Sequence, residues 1–223
     1  MPDDAVTRLL PHLESVVLAQ GARLYEVGVD LKHLYFPTSA VAALLRVSEN
    51  GDATKVAMVG NEGVIGVSIF MGGAASGRAS VLMAGHAFRI RTAPLKAEFD
   101  LHGPVMRLML RYTQSLITQM AQTAVCNRHH LVEQQLCCWL LLSLDRVPGD
   151  VLAITHETIA SMLGVRREGV TEAAGMLRQL GLIEYHRGHL TVLNRGGVLA
   201  RACECYAVVK RETDRLLPDR LAT

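Results

Sequence analysis

The fold of the chain is decided by residues 154–178, which read ITHETIASMLGVRREGVTEAAGMLR. Thr155 precedes the apolar pattern and can cap a first helix that runs to about Leu163. Gly164 then supplies a left-handed corner, and a second helix is predicted from about Arg167 to Leu180. A small residue, Ala160, at the helix crossing and a buried branched residue, Val170, complete the pattern of a helix-turn-helix.

The outward face of the second predicted helix carries side chains suited to base edges. Arginine can bond guanine bidentately, and glutamate can accept from cytosine N4. Two apolar runs, 182–186 and 190–192, flank Arg187-Gly188-His189 and predict a hairpin, or wing, whose tip contacts phosphate. The predicted DNA-binding residues are Thr155, Arg166, Arg167, Glu168, Thr171, Glu172, His186, Arg187 and His189.

The N-terminal part of the chain has a different period. Residues from about 17 to 92 read as short strands separated by glycine turns such as Gly60-Asn61-Glu62-Gly63, which is typical of a barrel or jelly roll. Residues 5–16 are predicted to be a helix at its edge. A long helix is expected from His102 to about Cys126. We predict that its apolar stripe forms a dimer interface, the alternative being a helix buried within one domain: Val105, Met109, Tyr112, Leu116 and Met120.

Residues 154–178, followed by Gly181-Leu-Ile-Glu-Tyr185, resemble the Crp/Fnr superfamily of bacterial transcription regulators. The resemblance extends more weakly over almost the whole chain. It implies an α+β fold with a cyclic-nucleotide-binding-type β jelly-roll barrel (1–100), a dimerisation helix and hinge (101–130) and a winged helix-turn-helix (131–223). It also implies a homodimer on a two-fold symmetric DNA site, read by Arg167 and Glu168. Glu172 departs from the family pattern, which has a basic residue there.

The family's nucleotide pocket is poorly matched. Val67 stands where the resemblance implies a ribose-binding glutamate. The implied phosphate-binding Arg-Ser or Arg-Thr pair keeps only its arginine, because Ala79 follows Arg78, so Arg78 and Ser80 are weak effector-binding candidates. Cyclic AMP is therefore not expected. An iron-sulfur cluster is not expected either, because no cysteine precedes Cys126. A haem ligated by His33 or His86 stays open, and the default is a regulator with no cofactor or an unknown effector.

Composition limits the remaining classes. The net charge is only +2, so DNA binding must come from a local surface. The five cysteines lack zinc-site spacing, and no metal is predicted. We also predict no catalytic motif, no membrane span and a cytoplasmic location, with RNA polymerase as a further partner. The competing hypothesis is a cupin-like or small-molecule-binding barrel protein whose winged helix serves protein interaction.

Overall fold

The computed structural model describes residues 3–51 and 53–218, and its order of elements is that of a β-rich N-terminal half and a mainly helical C-terminal half. The helices are α1 (Asp3–Leu9), α2 (Thr92–Asp100), α3 (Pro104–His129), α4 (Val132–Leu144), α5 (His156–Leu163), α6 (Arg167–Gln179), α7 (Arg195–Arg201) and α8 (Glu204–Leu216). The strands are β1 (Glu14–Leu18), β2 (Arg23–Tyr25), β3 (His33–Pro37), β4 (Val41–Val47), β5 (Ala53–Val59), β6 (Arg78–Met83), β7 (Gly85–Arg91), β8 (Val151–Ala153), β9 (Ile183–His186) and β10 (His189–Val192).

The N-terminal strands form two antiparallel sheets, with the orders β1-β7-β3 and β2-β6-β4-β5. Apolar side chains of both sheets, among them Leu34, Ile90, Leu44 and Val59, share one core. The predicted jelly-roll arrangement is therefore confirmed. The prediction of a helix over 5–16 was wrong in its second half, because β1 begins at Glu14 and pairs with β7.

The long helix α3 lies against this barrel. It extends to His129, three residues beyond the predicted end, and the chain breaks helical geometry only at His130, which has extended backbone angles. Val105, Met109, Tyr112 and Leu116 are buried in the core that the barrel and α3 share. The apolar residues with a period of 3.6 do form one face of α3, but that face packs on the barrel.

The C-terminal part is a winged helix followed by two helices that sequence reasoning did not predict. Helices α5 and α6 pack on α4, and the wing is a three-stranded sheet of order β8-β10-β9. Asn194 caps α7 by accepting from the Gly197 N–H at 2.8 Å. Helix α8 then returns along α3, where Thr213 and Ser115 hydroxyls lie 3.0 Å apart.

A buried ion pair, which we call the interdomain latch because it crosses the predicted domain boundary, joins Glu62 of the barrel to Arg146 after α4, and Gln119 joins α3 to the barrel. The Arg146 Nε donates to Glu62 Oε1 at 2.7 Å, and their side chains are only 5% and 4% exposed. The Gln119 side chain of α3 accepts from the Met58 N–H at 2.6 Å and donates to the Met58 carbonyl at 3.2 Å. These two bonds pair backbone groups of β5, which is the edge strand of its sheet. A Cβ at Gly63 would collide with the Tyr112 ring, so the turn fits closely against α3.

One hydrophobic cluster crosses the predicted domain boundaries. Barrel residues such as Met58 and Leu82 belong to the same cluster as Trp139 and Ile159 of the C-terminal part. The division into 1–100, 101–130 and 131–223 therefore stays a prediction. Among residues 3–51 and 53–218, no helix combines the length and hydropathy that are needed to cross a bilayer.

Candidate DNA-binding interface

The helix-turn-helix is positioned by the local devices that the sequence indicated. Thr155 Oγ1 accepts from the Thr158 N–H at 3.1 Å and caps α5. Gly164 has φ 68°, the left-handed geometry that the corner requires. Ala160 and Val170 are buried at 3% and 0% exposure, so α5 and α6 are held at a fixed crossing. This packing leaves the opposite side of α6 free.

That free side and the N-cap of α6, which together we call the reading face, carry five exposed residues: Arg166, Arg167, Glu168, Thr171 and Glu172. Four of them, from Arg167 to Glu172, line a shallow surface concavity. The Arg167 side chain is 66% exposed, and its Nε lies 3.9 Å from Glu157 Oε2 at the start of α5. Such a loose, solvated ion pair costs little to exchange for a contact with DNA.

His156 supports the reading face from behind, a role that sequence reasoning missed. Its Nδ1 lies 3.2 Å from Thr171 Oγ1, and its ring centroid lies 4.4 Å from that of Tyr185 in β9. Burial, and then the charge of Arg167, lowers the pKa of His156. The imidazole therefore favours its neutral form and ties α5, α6 and the wing together.

The wing ends in a tight hairpin turn. Arg187 and Gly188 have φ of 46° and 83°, as a two-residue turn with two left-handed positions requires. His186, Arg187 and His189 are exposed at this tip, as the sequence pattern predicted. The wing and α6 thus present all the predicted DNA-binding residues except Thr155, which is exposed at the start of α5.

The predicted dimer stripe needs correction. Val105, Met109, Tyr112 and Leu116 are 2–5% exposed within a single chain, because they fill the gap between α3 and the barrel. Met120 is half-buried and lines a barrel cavity. A different stripe is exposed, at alternating spacings of three and four residues, and we call it the α3 seam: Leu110, Gln114, Ile117, Ala121 and Ala124.

The barrel cavity lies where the resemblance implies a nucleotide. It has a volume of about 230 Å³ and is lined mostly by aliphatic side chains, Val67 included. Arg78 borders it, but its Nε donates to Glu26 Oε2 at 2.9 Å, which commits the guanidinium to the barrel. Ser80 is not among the lining residues, so the proposed Arg78–Ser80 pair does not form a phosphate site. Burial raises the pKa of the adjoining Tyr25 to about 12.

The two histidines considered for haem do not share a site. His33 pairs with Arg91 at one end of β3 and β7, whereas His86 lies near the other end of β7 beside the Pro37–Ala87 pair. Their strands thus separate them by several residue pairs, or roughly 15 Å.

Comparison with known proteins agrees with this geometry. The family model of the Crp-like helix-turn-helix domain matches residues 134–201. The chain is 27% identical over 188 residues to the Global nitrogen regulator of Synechococcus elongatus, covering 78% of this chain and 83% of that protein. It is also 27% identical over 176 residues to the Global nitrogen regulator of Nostoc sp., covering 74% and 78%.

Solved structures share the fold at low sequence identity. FixK2 from Bradyrhizobium japonicum superposes with a TM-score of 0.71 at 14% identity, covering 86% of this chain and 98% of that one. TTHA1359, a CRP/FNR-family transcriptional regulator from Thermus thermophilus, gives 0.66 at 21% identity, covering 85% and 98%. The fold, the exposed reading face and the relatives define a DNA-binding transcription regulator with a helix-turn-helix. The matched domain and the curated relatives support the resemblance of this chain to the Crp/Fnr superfamily.

Proposed function

We propose that this regulator binds a two-fold symmetric DNA site as a homodimer, with α6 of each protomer in a major groove. The observation that carries the proposal is the reading face itself. Four polar side chains are exposed on one side of α6, a fifth (Arg166) is exposed at its N-cap, and the other side of the helix is locked by Ala160 and Val170. A rigid helix with a free polar face is the geometry by which helix-turn-helix proteins read base edges.

The roles of the reading face follow from donor and acceptor chemistry. Arg166 and Arg167 supply guanidinium forks for guanine O6 and N7, and Glu168 and Glu172 accept from cytosine N4. Two carboxylates on the face oppose generic attraction to phosphate, so affinity depends on meeting the right base. The Thr155 end of α5 and the wing tip, at Arg187, are assigned to phosphate contacts that set the register.

Dimerisation is assigned to the α3 seam, in place of the stripe that the sequence predicted. Leu110 and Ile117 are 51% and 54% exposed, a large apolar exposure for two positions seven residues apart on one helix. The small side chains of Ala121 and Ala124 continue the seam and allow close helix approach. An apolar seam with heptad spacing is the pattern that pairs two helices in a coiled coil. An isologous α3–α3 contact would also give the DNA site its two-fold symmetry.

The barrel is proposed to act without cyclic AMP. The cavity offers aliphatic walls, and the ion pair with Glu26 holds Arg78. The second arginine at this wall, Arg46, donates to the Ser76 carbonyl. A cyclic phosphate needs charge-assisted donors directed at it, and both guanidinium groups here already have partners within the barrel. Any effector of the cavity would be small and largely apolar. Contact with RNA polymerase is part of the same proposal, since a regulator on DNA acts on transcription through that enzyme.

The central test is the affinity of the full chain for DNA fragments that it selects from a random pool. We expect Arg167→Ala to weaken binding about 5- to 150-fold, the worth of one bidentate base contact. Arg23→Ala, which removes the same side chain from the exposed surface of the barrel, serves as the matched control and should bind like the parent. Equal binding by all three proteins would overturn the assignment of the reading face.

The dimer is tested by sedimentation of the chain at micromolar concentration. Ile117→Glu places two like charges face to face in the seam and should shift the protein to monomers. Val17→Glu, at a 73% exposed position on β1, is the control and should remain dimeric. A parent chain that sediments as a monomer would refute the homodimer.

A further inference from the structure

Five potential ligand side chains meet where α3, α4 and α8 converge, although they are dispersed in sequence. Cys126 is on the last turns of α3, His130 is its C-cap, and Cys203 and Cys205 flank the start of α8, with Cys138 of α4 beside them. Cys203 Sγ lies 3.6 Å from Cys126 Sγ and 3.2 Å from Cys138 Sγ. Cys205 Sγ lies 3.4 Å from His130 Nδ1. Sequence spacing gave no sign of this cluster, because 75 positions separate His130 from Cys205.

Four of these side chains have the dimensions of a tetrahedral metal site. The ligand atoms of Cys126, His130, Cys203 and Cys205 all lie within 4.8 Å of one another. Zinc–sulfur bonds of about 2.3 Å and zinc–nitrogen bonds of about 2.0 Å give tetrahedral edges of about 3.8 Å between sulfurs and about 3.5 Å between sulfur and nitrogen. The 3.6 Å and 3.4 Å separations are close to these edges.

We propose that Cys126, His130, Cys203 and Cys205 bind a thiophilic divalent cation, Zn²⁺, in a closed Cys₃His site. Thiolate and imidazole ligands suit zinc, and a site with four protein ligands is structural in character. The prediction from sequence that the chain has no metal site is thereby replaced. Cys137 shows the contrast: it is equally buried on α4, yet it stands outside the one candidate ligand group found in the described part of the chain.

The surroundings of the four side chains are those of a metal site. His130 Nε2 lies 3.3 Å from Glu204 Oε1, so the imidazole can ligate through Nδ1 while its other nitrogen donates to a carboxylate. Gln122 Nε2 donates to Cys205 Sγ at 3.2 Å, which suits a thiolate. Cys138 contacts both the sulfur and the carbonyl of Cys203 from outside the set.

The charge of the site is balanced by a neighbour. Three thiolates and one divalent cation leave a net charge of −1 in a buried place, which needs a compensating cation. Lys55 is 6% exposed and lines the same small cavity as Cys126, Cys138 and Cys205. A lysine this deeply buried is costly without a compensating negative charge, which the thiolates of the metal site would supply.

The site connects the end of α3 to the start of α8, which follows the winged helix. Bound metal would therefore fix the winged helix relative to α3, and loss of the metal would free α8 to move. This step rests on the proposed function: it predicts that zinc changes DNA affinity about 5- to 150-fold, the usual range for coupling between two sites. The metal site itself is independent of DNA binding.

The test is zinc stoichiometry on the full chain, reduced, stripped with a chelator, reloaded and desalted. We expect about one zinc ion per protomer, and tetrahedral cobalt–thiolate absorption when Co²⁺ replaces Zn²⁺. Cys203→Ser and His130→Ala should lose both signals and the rise in Tm that zinc gives the parent. Cys137→Ser is the matched control and should keep them.

Three outcomes would overturn the proposal. The first is a folded parent chain with all thiols titratable and no zinc retained. The second is retention of zinc by Cys203→Ser at the parent's level. The third is a disulfide of Cys203 with Cys126 or Cys138 that forms in air in preference to metal binding, seen as the loss of two hydrogens in the intact mass. If zinc binds and DNA does not, the proposed function fails while the metal site stands.

Discussion

The reading face of α6 and the interdomain latch are both polar, but their environments are opposite. The reading face keeps Arg167 at 66% exposure, with a carboxylate partner 3.9 Å away. The latch buries Arg146 at 5% exposure against Glu62 at 2.7 Å. An exposed pair contributes little to stability and can exchange partners, whereas a buried pair is costly to break. Charged groups in this protein are therefore exposed and exchangeable at the proposed reading face, and buried in a fixed geometry at the latch.

This difference explains why one chain can hold the recognition helix rigidly and still leave it open. The buried Glu62–Arg146 pair fixes the end of α4, and with it the winged helix, on the barrel, while Gln119 fixes α3 there. The exposed side chains of α6 then need no support from their own ion pairs. Changes at the latch should alter stability, and changes at the reading face or wing should alter DNA binding.

The largest effect is expected from breaking the latch. Glu62→Ala leaves the Arg146 guanidinium buried without its carboxylate and should lower the free energy of unfolding by about 3–5 kcal/mol. Chemical denaturation followed by circular dichroism measures this change. The paired replacement Glu62→Met with Arg146→Met should recover most of the loss, because neither charge is then buried. If Glu62→Ala were as stable as the parent, the latch would contribute no more to stability than the exposed ion pair of the reading face.

A smaller effect is expected at the cap of α5, which is part of the proposed DNA-binding surface. Thr155→Ala removes the acceptor of the Thr158 N–H and should cost about 1 kcal/mol of stability. Thr155→Ser keeps the acceptor and should behave nearly like the parent in the same denaturation experiment. A loss as large as that of Glu62→Ala would indicate that the cap also supports the core.

The wing should affect DNA affinity without affecting stability. Arg187→Ala is expected to weaken binding to all DNA sequences alike and to reduce the slope of log affinity against log salt by about 1, the signature of one lost phosphate contact. Fluorescence anisotropy at several salt concentrations measures both quantities. Weakening on one sequence only would assign Arg187 to base readout instead.

The smallest effect is expected from pH at His156. Because burial and Arg167 lower the pKa of His156 in the folded chain, the unfolded chain binds a proton more readily. The stability from the neutral imidazole is present above its ordinary pKa of about 6.5 and is lost as the pH falls through the lowered value. His156→Gln should therefore lose less stability than the parent between about pH 7 and pH 5. If the free energy of unfolding changed with pH equally in His156→Gln and in the parent, this assignment would be contradicted.

The winged helix was predictable because its signals are local. The cap at Thr155, the corner at Gly164 and the period of the apolar residues each act within one or two turns, so they survive in a single sequence. The exposed positions of Arg167 and Glu168 follow from the same period. The barrel strands were also indicated by their glycine turns, although the first strand begins at Glu14, before the predicted start near residue 17.

The predicted dimer stripe shows that a local pattern does not identify the partner of a helix face. Helical period identified Val105, Met109, Tyr112 and Leu116 as one apolar face, but period does not say what covers that face. The barrel covers it, and the weaker pattern of Leu110 and Ile117 is left exposed. Helices α7 and α8 were also not predicted, because no sequence motif indicates that the chain packs back on α3.

The sequence by itself determined the local geometry of the helix-turn-helix, the wing and the barrel strands, since capping, turn chemistry and periodicity act between near neighbours. Only the tertiary structure decided the partners of Glu62, the face of α3 that stays free and the meeting of Cys126 and His130 with Cys203 and Cys205. The Glu62–Arg146 pair and the cysteine–histidine cluster join residues 75 to 84 positions apart, which the packing of the whole chain selects and no local pattern encodes.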